Sequence, residues 1–125
     1  MVLMMDNKYL IEHINGITRI EFFDKPCYSD AENIIDVIAE SYPYDRRLWD
    51  FTRIKFDFTI EEIKSIAQYG KTRFIKQNKL AIVAPDNWAY IELHIFQAHR
   101  HQKDLSQTRV FRTVKEAENW LLSNK

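Results

Sequence analysis

Apolar and polar residues alternate from Lys8 to Ile14 and again from Ile17 to Phe23, and the two runs meet at Asn15-Gly16. A period of two sends successive side chains to opposite faces, the mark of a strand. Asn-Gly is favoured where both central residues of a turn take positive φ, so the spacing predicts a tight β-hairpin. After a loop containing Pro26 the period changes. Ser29 precedes Glu32 by three residues, the spacing of a reciprocal helix cap, and Ile34, Ile35, Val37 and Ile38 then supply an apolar face as far as Glu40.

The alternation of strand and helix signals continues to the end of the chain. Arg47–Thr52 (RLWDFT) is predicted as a central strand. Thr59 and Glu62 form a second capping box, opening a helix with Ile63, Ile66, Ala67 and Phe74 at helical spacing. Lys79–Pro85 (KLAIVAP) is nearly all apolar, the pattern of a strand buried on both faces. Asp86 is placed to cap a helix over Asn87–Arg100. Thr108–Arg112 is a further strand, and Thr113 with Glu116 caps a final helix through Trp120 and Leu122. The order ββαβαβαβα predicts one α/β domain over residues 1–125. Its five-stranded, mixed and mostly parallel sheet would be covered by four helices, with Arg47–Thr52 beside Lys79–Pro85.

Charge narrows the partners. Lys plus Arg equals Asp plus Glu at 18 each, so no overall positive field draws the chain to nucleic acid. No apolar run nears the roughly 20 residues that a membrane-spanning helix needs. The opening residues lack the basic and apolar regions of a signal peptide, and the single cysteine, Cys27, excludes an intrachain disulfide. Both features predict a reducing, cytoplasmic setting.

Three stretches, RLWDFT, KLAIVAPDNWAY and RVFRTVKEAENWL, resemble small bacterial proteins of the STAS/CRAL-TRIO superfamily, which includes anti-sigma-factor antagonists, sulfate-transporter domains and lipid carriers. The resemblance implies a STAS-like fold. In the antagonist branch a phosphorylated turn precedes the second helix. The matching place here, Asp57-Phe-Thr-Ile-Glu61, puts Thr59 at the acceptor position but lacks the glycine and the first serine. Thr59 is already accounted for as a helix cap.

Catalytic chemistry is hard to find. Two glycines in the whole chain exclude a Gly-rich phosphate loop. His94, His99 and His101 are offset by five and two, not the three or four that would align ligands on one helix face, so no metal site is expected. Cys27 and Asp50 have no partner group visible in sequence. No catalytic residue and no cofactor is therefore expected. Ligands of open α/β sheets bind beyond the carboxyl ends of the strands. That rim would consist of Asp50, Thr52, Arg53, Asp86 and Asn87, with Arg112 and Thr113 beside them.

The helix over Asn87–Arg100 carries two apolar stripes, Trp88, Ile91, Ile95 and Ala98 on one and Ala89, Leu93 and Phe96 on the other. Covering a sheet takes one stripe. The second must meet another helix of the domain, a small apolar ligand or another chain. Ala89, Leu93 and Phe96 are the candidate interface of a homodimer. The expected function is a non-enzymatic regulatory or protein-interaction module; the alternative is a carrier of a small apolar or lipid-like ligand.

Overall fold

Six strands form a single sheet in the order β1-β2-β3-β4-β5-β6, so every strand lies beside its neighbour in sequence. The structure, a computed structural model, describes residues 2–42, 44–103 and 105–123. The strands are β1 (Val2–Met5), β2 (Tyr9–Ile14), β3 (Ile17–Phe22), β4 (Arg46–Asp50), β5 (Asn78–Val83) and β6 (Ser106–Phe111). The helices are α1 (Tyr28–Ser41), α2 (Ile60–Arg73), α3 (Asn87–Arg100) and α4 (Val114–Leu122). β1, β2 and β3 pair antiparallel, whereas β3 to β6 pair in parallel. Asn15 and Gly16 have φ of 54° and 80°, the left-handed pair that a tight hairpin turn needs. β4 and β5 are adjacent and neither is an edge strand.

Two expectations are corrected. The sheet has a sixth strand: VLMM does not alternate in polarity, and its extended conformation comes from pairing with β2 rather than from its own pattern. Helix α1 begins at Tyr28, not after Ser29. Asp30 closes its first turn by accepting the Cys27 backbone N–H at 2.9 Å, and Lys8, in the turn just before β2, holds the same carboxylate at 3.0 Å. The local Cys27 bond makes the cap, and a tertiary ion pair adds to it. The capping boxes at Thr59 and Thr113 and the Asp86 cap stand where the spacing put them.

Sequential parallel strands joined by crossovers of one hand must carry their helices on one face. The buried residues of α1, α2 and α3 accordingly share one core with Ile11, Ile20, Phe22, Trp49, Leu80 and Ile82 of the sheet. α4 packs on the other face, where Ala117 and Leu121 meet Ile17, Leu48, Ala81 and Val83. α4 has only nine residues and contacts β4, β5 and β6. The hairpin end of that face stays open, leaving Met5 and Ile14 exposed. No helix is long and apolar enough to cross a membrane among the described residues.

Candidate functional sites

Parallel pairing sets the carboxyl ends of β4, β5 and β6 side by side, which brings the expected rim together. Its polar groups are largely occupied within the chain. Asp50 is buried; it accepts the Thr52 backbone N–H at 2.9 Å, the Thr52 hydroxyl at 2.6 Å and Arg19 Nη2 at 2.8 Å. Arg53 Nε lies 3.4 Å from Glu21. Asp86 accepts the Ala89 N–H at 2.8 Å as the α3 cap, and Thr113 accepts the Glu116 N–H at 3.2 Å. Arg112 donates to the Asn87 side chain and lies over the Tyr90 ring at 4.1 Å. The Asp50 and Arg53 contacts tie the loop after β4 to β3, and the Asp86 and Thr113 contacts cap α3 and α4.

Helix α3 reverses the assignment of its stripes. Ala89, Leu93 and Phe96, the expected interface, are buried in the domain's own core, Leu93 being 2% exposed. They face α2 and β6, so no second chain can reach them. The stripe left in solvent is the other one: Trp88 is 71% exposed and Ile91 63%. Ile95 is partly buried and Ala98 exposed. Helical spacing alone identifies two stripes, and only the position of β6 and α2 decides which turns inward.

Thr59 is engaged in its cap, donating its N–H to Glu62 Oε1 at 2.9 Å and accepting the Glu62 N–H at 3.1 Å. The histidines are dispersed: His13 stacks on Tyr44 with ring centres 4.0 Å apart, and His94 Nδ1 lies 2.7 Å from the Tyr90 carbonyl. No group of three metal-binding side chains converges among the described residues. Cys27 is exposed, with its Sγ 3.1 Å from the Ser29 hydroxyl.

Beneath α2 and α3 the core encloses an apolar cavity of about 40 Å³, walled by Trp49, Phe51, Phe56, Phe58 and Phe74 among others. The loop between β4 and α2 contributes Phe56 and Phe58, which meet edge to face at 5.3 Å. That volume suits a water-sized guest.

The most unusual feature lies at the opposite end of the sheet from the rim. Arg47 and Arg100 are each 1% exposed, and no carboxylate forms an ion pair with either among the described residues. Arg47 Nη2 donates to Asn78 Oδ1 at 2.8 Å, and Ser106 Oγ donates to the same oxygen at 3.1 Å. Arg100 Nη1 donates to that serine hydroxyl, while its Nη2 is buried with no hydrogen-bond partner among the described residues. Both guanidiniums approach the Phe74 ring, at 3.6 and 5.8 Å from its centre. Burial pushes Arg47 down to about 9, with the charge of Arg100 adding to the effect and that of Asp45 opposing it, and burial pushes Arg100 down to about 10. Both stay protonated at neutral pH, so two positive charges sit in the interior bridged by neutral groups.

Arg47 also lines a cavity of about 390 Å³ at the amino-terminal ends of β4 and β5, with Tyr44, Asp45, Arg73, Lys76 and Asn78 around it. Neither arginine stands out in the sequence as a site residue, yet both are legible there. Arg47 shares the two-residue parity of Trp49 and Phe51, and Arg100 continues the Leu93–Phe96 stripe by one turn. No family model matches the chain, and no curated protein does either.

Proposed function

We propose that this chain is a non-enzymatic regulatory or protein-interaction module that self-associates through the outer stripe of α3. The observation that carries the reading is the exposure of Trp88 and Ile91, three residues apart on one helix face. Burying a large apolar side chain is worth about 1.5–3 kcal/mol, so a Trp and an Ile in water are a reserve of association energy. A second copy is the partner of choice. Two such stripes crossed antiparallel about a two-fold axis set Trp88 of each copy against Ile95 of the other, a self-complementary contact. With 18 positive and 18 negative side chains, two copies carry no net charge to hold them apart. The element order and the three resembling stretches support a STAS-like class, and the lone thiol of Cys27 fits a cytoplasmic setting.

Sedimentation equilibrium tests this. Wild type should be a dimer, and Trp88→Ser with Ile91→Glu should give a folded monomer, because both side chains already face water. A wild type that stays monomeric at high concentration overturns the reading.

The second reading, a carrier of a small apolar ligand, is favoured by the aromatic cavity beneath α2 and α3. A drug-sized ligand needs roughly 300 Å³ or more, so occupancy requires the walls to part. Native mass spectrometry separates the two readings: a co-purifying small mass supports the carrier, and a bare dimer supports the interaction module.

A further inference from the structure

A buried guanidinium is stable when paired with an anion and costly when alone, since a charge leaving water loses several kcal/mol of hydration. Proteins usually supply a carboxylate. Here the polar groups that Arg47 contacts are the Asn78 amide oxygen at 2.8 Å and the Tyr44 carbonyl at 3.5 Å, both neutral. Behind it Arg100 adds a second positive charge that forms no ion pair among the described residues, linked through Asn78 and Ser106. The amide of Asn78 is held with this oxygen toward Arg47, because its Nδ2 donates to the Lys76 carbonyl at 2.7 Å. The field of this pair opens onto solvent through the cavity of about 390 Å³ that Arg47 lines.

We propose that this cavity, at the amino-terminal ends of β4 and β5, binds a small ligand through a carboxylate or phosphate oxyanion that Arg47 receives at its floor. The planar guanidinium presents donors in a fork that matches either group. Lys76 is exposed at the mouth and adds a second cation. Arg73 also lines the cavity, but its charge is engaged by Asp36 at 3.1 Å and Glu40 at 2.8 Å. Asp45 is the carboxylate lining the cavity itself, and it would disfavour a ligand of high negative charge. The oxyanion adds negative charge, beyond that of Asp45, to an interior that holds two cations.

The test is a titration followed by NMR of the arginine side-chain Nε–H groups and the backbone amides. Sodium phosphate and sodium acetate are the probes, each compared with sodium chloride at matched ionic strength. Expected is a saturable shift of the Arg47 Nε–H and of the Gln77 and Asn78 amides, with a parallel rise in melting temperature. A response to phosphate alone identifies a phosphate ligand, to acetate alone a carboxylate, and to both the shared chemistry. Arg47→Met should abolish the response, and Lys76→Gln, which alters only an exposed side chain, should weaken it several-fold. The proposal fails if neither anion exceeds chloride, or if Arg47→Met responds like wild type. Should Arg47→Met not fold, an undiminished response in Lys76→Gln, with shifts that spare Arg47, overturns it equally.

Discussion

Arg19 of β3 and Asp50 of β4 are joined across neighbouring parallel strands, Nη2 to Oδ2 at 2.8 Å, on the sheet face that α4 leaves partly open. Asp50 lies one turn of side-chain parity from Leu48 of the α4 core, so its charge is held at the border of an apolar cluster. Because the same carboxylate also binds both polar groups of Thr52, it fixes where β4 ends and the following loop begins. Asp50→Ala should cost about 2 kcal/mol, since it strands a partly buried guanidinium and a backbone N–H together. Urea denaturation of Asp50→Ala, Arg19→Ala and the double variant measures this. A coupling energy near zero would mean the pair contributes nothing beyond its separate hydrogen bonds.

Leu93 and Ile91, two residues apart on α3, should respond in opposite ways. Leu93→Ala should destabilise the fold by about 2–5 kcal/mol, as a fully buried leucine does when truncated. Ile91→Ala should alter monomer stability by less than about 0.5 kcal/mol. Leu93→Glu with Phe96→Glu should unfold the chain rather than release a monomer. Circular dichroism during chemical denaturation checks all three.

Thr59→Ala should lower stability by about 1 kcal/mol, the usual loss on removing a helix cap. Thr59→Asp should be nearly neutral, because a carboxylate at that position accepts the same N–H and favours the positive end of the helix dipole. Detection of phosphothreonine at this position in cells, with a partner lost on modification, would give Thr59 a second role.

Asp30 gives stability a defined pH dependence. The Cys27 backbone N–H, followed by Lys8, holds its carboxyl below the ordinary value of 3.8. A carboxyl depressed in the folded state binds its proton more readily once unfolded. Its contribution is therefore complete above 3.8 and disappears as the pH falls from there through the folded value. Asp30→Asn should be less stable than wild type at neutral pH, and the gap should close in acid. Denaturation midpoints at a series of pH values read the difference directly.

Gly70 of α2 sits where a methyl group would stand 3.0 Å from Arg100 Nε. Alanine in a helix interior ordinarily gains about 1 kcal/mol over glycine. Arg100 is tied to Ser106 and would have to break that bond to retreat, so Gly70→Ala should be destabilising by about 1 kcal/mol once overpacking is included. In an Arg100→Met background the same change should become stabilising, and thermal denaturation of the four combinations shows the reversal.

Local chemistry in the sequence determined the hairpin at Asn15-Gly16, the caps at Thr59, Asp86 and Thr113, and the placing of KLAIVAP inside the sheet. Each of these depends on residues within a few positions of one another, where backbone φ, a short polar side chain or an unbroken apolar run is decisive. Tertiary structure decided the rest. Val2–Met5 is a strand because β2 offers a partner, and the Asp30 cap that starts α1 at Tyr28 is joined by Lys8 from the turn before β2. Helical periodicity marks both stripes of α3 as apolar and cannot rank them; the inward one is whichever meets α2 and β6. The burial of Arg47 beside Arg100 likewise depends on packing that joins β4, α3 and Phe74, residues far apart in the chain. A charge reads as surface in any short window, and only the assembled core reveals that these two were taken out of water with no ion pair to either among the described residues.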